Sequence, residues 1–265
     1  GPDVLLDRNP RLIYGRVTGW GQTGPLARVA GHDINYIALT GAVAAIGKQD
    51  EAAVPPLNLV GDFGGGSMFL ILGILAALFE RQQSGKGQVV DAAIVDGVAS
   101  LMSFFGGLVT TGAISLDRSR NLLGGAAHFY RCYQCADGRE ISIGPLEPQF
   151  YAELLRRIGA PEELGVDQND PDLWEQRSAQ MSAIFATKTR DEWCALLAGS
   201  DACFAPVLTL EESFDHEHMR GRGTYEDVDG ILQPAPAPRF SRTPGDVAPG
   251  LDVQALFKRW GVRSE

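Results

Sequence analysis

The chain has 265 residues, 45% hydrophobic and 21% charged, enough apolar content for a sizeable core in one or two domains. Lys and Arg number 23 against 33 Asp and Glu, a net charge of -10, which argues against a nucleic-acid binder. An anionic cofactor stays open, because a phosphate needs only a few local cations or a helix N-terminus. Four cysteines in this length are no disulfide scaffold and read as reduced thiols, pointing to the cytoplasm. Gly1-Pro2-Asp3 opens without a basic or apolar leader pattern, so no signal peptide is expected.

In chain order, residues 11–17 read as a strand and 19–25 as a glycine-rich loop. Residues 35–46 are weakly helical, and 58–66 form a loop ending in three glycines. Ser67 is the expected N-cap of a helix from Met68 to about Gln83, with Gly85 as its stop. The apolar run 68–79 is too short to cross a bilayer and is expected as a buried helix. A strand over 88–93 and a helix over about 95–108 follow. This strand–helix alternation predicts an α/β unit over 1–108.

Composition then shifts, and the stretch 109–128 reads as a linker. Residues 129–217 are expected as a small α+β domain. It holds strands at 129–132 and 140–143 and helices at 148–158, 173–185 and 190–198. Thr189 and Glu192 form a capping box for the last helix. Residues 218–240 read as a returning linker, stiffened by Pro234-Ala235-Pro236-Ala237-Pro238. The segment 241–265, with an amphipathic helix at 251–260, is expected to pack on the large domain.

Three segments carry plausible chemistry. Gly31-His32-Asp33-Ile34-Asn35-Tyr36 puts an imidazole, the side chain that titrates near neutral pH, before a helix. A lone histidine is more often a surface or satisfied core residue. Gly61-Asp62-Phe63-Gly64-Gly65-Gly66-Ser67 sets a carboxylate beside glycines and a helix start, whose free N–H groups would suit a developing enolate. The plain alternative is a helix-capping Asp. Glu147 lies between two prolines at a helix start, where an acid favoured by the dipole is the ordinary reading. Cys132 and Cys135 have zinc-ligand spacing without a second pair, so no metal is expected. His216 and His218 read as a solvated helix end.

Taken in order, Gly19 to Pro25, Gly31 to Tyr36, Pro56 to Ser67 and Ser84 to Ala92 resemble the family III CoA-transferases. The match is nearest to the α-methylacyl-CoA racemases within that superfamily. Glu147-Pro148-Gln149-Phe150-Tyr151 and Pro236-Ala237-Pro238-Arg239-Phe240 continue it. The resemblance implies a Rossmann-like large domain, incomplete at its N-terminus, plus a small α+β domain, in interlocked homodimers. It implies interconversion of (2R)- and (2S)-2-methylacyl-CoA thioesters, with CoA as part of the substrate and no metal or nicotinamide. His32 and Asp62 would flank the α-carbon, Glu147 would orient His32, and Gly31, His32, Asp33, Ile34, Asn35 and Tyr36 would contact the CoA thioester. The resemblance implies a start beyond the family's N-terminal segment, which supplies early strands and contacts to the CoA adenine and phosphates, so that either a fragment or a shortened protein with a weakened CoA site is expected. An incomplete sheet would leave an edge and apolar surface needing cover. Gly124 stands where the family carries Asp, and His128 where it carries Pro. The alternatives are a CoA-transferase with Asp62 as covalent nucleophile, or a non-catalytic homologue.

Overall fold

In the computed structural model, which describes residues 1–247 and 253–261, helix α1 (Pro2–Arg8) leads into strand β1 (Ile13–Thr18). Pro2 suits the first turn of α1, where its missing N–H costs nothing. β1 pairs in parallel with β2 (Gln88–Ala93), from Ile13 opposite Gln88 to Thr18 opposite Ala93. A parallel pair needs a long crossover. Here it runs through α2 (Asp33–Ala38), a π-helix (Leu59–Met68) and α3 (Phe69–Ser84). α3 stops as expected at Gly85, whose φ of 74° is left-handed.

The π-helix corrects the expected loop at 58–66 and the expected cap at Ser67. The Phe63 N–H reaches Asn58 O, five residues back, at 3.2 Å. Ser67 Oγ donates to Asp62 O at 2.9 Å and does not cap α3. Its glycines serve close packing against α4 (Ile94–Leu101): a Cβ on Gly97 would lie 1.9 Å from Gly65 O. The helix expected over 95–108 is two, α4 and α5 (Ser103–Thr110), which meet at Met102.

This half has a small core of Ile37, Ala42, Val43, Ile94 and Val98. α3 is not the buried helix that its apolar run suggests. It packs on β1, β2 and the π-helix, and Ala77 is its one buried residue among those described. Leu72, Leu75 and Phe79 are 63%, 59% and 66% exposed. Together the π-helix and α3 form one helical stretch, Leu59–Ser84, that by length and composition alone could cross a membrane.

The next part carries the antiparallel sheet β3–β4–β5 (Arg131–Gln134, Glu140–Ile143, Phe204–Pro206). It also holds α6 (Pro148–Ile158), α7 (Trp174–Phe185) and α8 (Arg190–Leu197). α6 buries Tyr151, Leu154, Leu155 and Ile158, a one-sided helical stripe, and ends at left-handed Gly159. The capping box of α8 forms as expected, with Thr189 N donating to Glu192 Oε2 at 2.8 Å. Phe129, Ile141, Met181, Phe185 and Trp193 sit at the centre of a continuous core.

His128 is fully buried in that core. Its Nε2 lies 2.8 Å from Tyr151 OH, and Tyr151 OH donates to Leu164 O at 2.8 Å. The tyrosine proton is therefore committed, and His128 must donate from Nε2. Burial, with Arg177 and Arg131 adding, pushes the His128 pKa down to about 4, so the ring is neutral near pH 7. Gly124 leaves room for Asn121, whose Nδ2 donates to Ala45 O at 3.1 Å. A Cβ at 124 would lie 2.8 Å from that nitrogen.

The chain divides into two compact units, Gly1–Pro206 and Val207–Glu265. Within the second, α9 (Leu210–Asp215) and α10 (Glu217–Gly221) precede a hairpin of β6 (Tyr225–Val228) and β7 (Ile231–Pro234). The stretch 218–240, read as a linker, thus carries most of α10 and the hairpin. Asp229 and Gly230 turn it with φ of 56° and 81°, the pair of positive values a two-residue turn needs. His216 caps α10, accepting from His218 N at 3.2 Å. α11 (Val253–Trp260) matches the expected tail helix, whose first two positions lie outside the described residues.

Candidate active site

His32 is the N-cap of α2, with extended backbone and an exposed side chain. Its position is fixed by neighbours in its own motif. His32 N donates to Asn35 Oδ1 at 3.0 Å. Tyr36 OH donates to Gly31 O, and the Tyr36 ring stands edge-on to Trp20 with centroids 4.7 Å apart. The Asn35 Oδ1 and the Tyr36 hydroxyl are thus used within the turn itself, while Ile34 is exposed.

Asp62 is half-buried in the first turn of the π-helix. Asn58 Nδ2 lies 3.5 Å from its Oδ2. Asp33 Oδ1 accepts from Asp62 N at 2.6 Å. One hydrogen bond therefore joins the two motifs across 29 residues of sequence. The structure brings the His32 turn and Asp62 together through the residue next to the histidine.

Glu147 stands elsewhere. It is the exposed N-cap residue of α6 and makes no side-chain capping bond. Among the described residues it has no hydrogen bond to His32. Its loop is nonetheless held: the buried Gln168 donates from Nε2 to Pro145 O at 3.0 Å. The Glu147 charge is felt at Cys203, whose thiol is pushed up by burial first and by Glu147 and Asp201 next.

One expectation about the oxyanion needs correction. The N–H groups of 62–67 are not a free helix start. Asp62 N is taken by Asp33, Phe63 N by Asn58 O, and the rest lie inside the π-helix. Among the described residues the N–H groups of Asp33 and Ile34, which open α2, have no acceptor, whereas Asn35 N donates to His32 O at 2.8 Å. Sequence reading missed the parts of Asp33, Asn58 and Gln168 in holding these groups. No spacing rule links residues 33 and 62, and Gly61 beside Asp62 was the one trace of a close approach.

A cleft of about 1210 Å³ elsewhere in the first unit includes none of His32, Asp62 and Glu147. Two of its four cations are matched, Lys48 by Glu51 and Arg120 by Asp172.

A family model described as CoA-transferase family III matches residues 1–251. The chain belongs to that family. It is 47% identical over 272 residues to the alpha-methylacyl-CoA racemase of Mus musculus, covering all of this chain and 71% of the mouse protein. The human alpha-methylacyl-CoA racemase is 43% identical with the same coverage. The crystal structure of a CaiB/BaiF family protein from Brucella suis superposes with a TM-score of 0.75 over 98% of this chain and 70% of that one. At 24% identity, that likeness speaks for the family's fold alone.

Proposed function

We propose that this chain is a racemase or epimerase of 2-methylacyl-CoA thioesters, with His32 and Asp62 as its acid/base pair. The observation that supports this reading most is the bond from Asp62 N to Asp33 Oδ1, which ties the main chain at Asp62 to the residue that follows His32. The identity to two racemases over the full chain supports the same reaction.

A thioester α-proton is weakly acidic, so its removal needs a base in reach and donors for the enolate oxygen. The group that removes the proton starts unprotonated and its counterpart starts protonated. The enolate then takes a proton on the opposite face, and the two groups exchange protonation states. The reverse reaction begins from that exchanged state, so no outside reagent is consumed. The Gly31–Tyr36 turn holds the thioester, and the main-chain N–H groups opening α2 face its oxygen. CoA is part of the substrate, and the chemistry calls for no separate cofactor.

Glu147 enters this reading as the residue that orients His32, across an interlocked homodimer. Its exposure and free carboxylate fit a group that meets His32 of another subunit. The exposed apolar face of α3 fits burial in the same assembly better than a membrane span, because the stretch carries Asp62, Glu80 and Arg81. The domain division of 1–108, 129–217 and 241–265 belongs to this proposal. So does a reducing, cytoplasmic setting, which suits the four free cysteines.

His32→Ala and Asp62→Ala are each expected to lower racemisation of 2-methyldecanoyl-CoA by about 10²- to 10⁴-fold with the fold intact. Near-normal racemisation in either variant would overturn the assignment. CoA transfer to an added acid, lost in Asp62→Ala alone, would favour the transferase.

A further inference from the structure

The Asp62 N–H has no backbone acceptor among the described residues, because it lies in the opening turn of the π-helix. A side chain from a distant element supplies one: Asp33 Oδ1, at 2.6 Å and partly buried. An ionised carboxylate that accepts from a backbone N–H makes a charge-assisted bond, stronger than a neutral one. Gly61 makes it possible, since a Cβ there would lie 2.0 Å from Asp33 Oδ1. Asp33 thus caps the π-helix from outside. Its own backbone follows His32 directly, so this one carboxylate ties the base on one side of the reacting carbon to the main chain of the acid on the other.

We propose that Asp33 is the positioning residue of this site, fixing the separation of His32 and Asp62 through the Asp62 main chain. It takes no proton in the reaction. This inference rests on the acid/base reading above, but the bond itself can be tested without it. A misplacement of about 1 Å between reacting groups costs on the order of 100-fold in rate. An amide oxygen still accepts from an N–H, so Asp33→Asn keeps the bond, whereas Asp33→Ala removes it.

Two readouts are taken on the full chain. The first is amide hydrogen exchange at Asp62 in wild type, Asp33→Asn and Asp33→Ala, with no substrate present. Protection is expected in the first two and its loss in the third. Rapid exchange at Asp62 in the wild type, or undiminished protection in Asp33→Ala, overturns the proposal. The second is racemisation of 2-methyldecanoyl-CoA. Asp33→Ala is expected to lose about 100-fold in kcat with KM changed less than about threefold. Asp33→Asn is expected to stay within about tenfold of wild type. An Asp33→Asn as inactive as Asp33→Ala, with Asp62 still protected, would assign the effect to charge and overturn positioning. Should Asp33→Ala fail to fold, Asp33→Asn still decides through the same two readouts. If the wild type racemises nothing, the acid/base reading fails while the exchange data still judge the cap.

Discussion

The two halves of the first unit hold themselves together in different ways. From Ala127 to Ala202, seventeen buried residues form one core around Phe129, Phe185 and Trp193. In the half that carries His32 and Asp62, five buried residues do the same work. There the longest helix turns Leu72, Leu75 and Phe79 to solvent. The lesson is a division of labour. The α6–α8 module packs around a large core of its own and presents Glu147 on a held loop. The half with His32 and Asp62 is built from close backbone approaches at glycines and from single polar links, and its helix α3 keeps an exposed apolar face.

Truncating the self-contained core gives the largest expected effect. Phe185→Ala should cost about 3–5 kcal/mol in denaturant unfolding, since the side chain is fully buried and touches both Tyr133 and Trp193. A loss below about 1 kcal/mol would mean that this module leans on something outside its own core.

Acid should weaken the same module next. The folded pKa of His128 is about 4, below its ordinary 6.5, so between these values the unfolded chain binds a proton that the folded chain refuses. Stability is therefore complete above pH 6.5, falls as the pH drops towards 4, and loses up to about 3 kcal/mol from this group. His128→Gln should flatten that part of the pH–stability curve. An unchanged curve in the variant would place the acid sensitivity elsewhere.

The exposed half gives the smaller and more conditional effect. If a second subunit covers α3, Leu75→Ala should cost about 2 kcal/mol and make the melting temperature depend on protein concentration. If α3 stays exposed, the same change should be worth less than about 0.5 kcal/mol at every concentration. The homodimer reading predicts the first outcome.

The same contrast governs what could be read in advance. β2, β4 and α6 were legible to the residue because their signals are local. α6 begins at Pro148, carries a stripe of apolar residues and ends at Gly159. The π-helix was not legible, since its glycines look like a loop and its i to i+5 bonds leave no familiar periodicity. β5 was missed because Phe204–Pro206 is a strand only through its pairing with β4. The β6–β7 hairpin was missed despite a usable signal, Asp229-Gly230 between apolar residues. At the candidate site, motif resemblance led to the proposal of His32 and Asp62, but the Asp33 link depends on tertiary approach and has no trace in spacing.

The central claim is that an imidazole and a carboxylate act on opposite faces of one carbon. The most direct test incubates enantiopure (2R)-2-methyldecanoyl-CoA with the wild-type protein in D2O, with no acyl acceptor present. The account predicts deuterium at C2 together with inverted configuration. Recovered thioester that is undeuterated and still wholly 2R would contradict it.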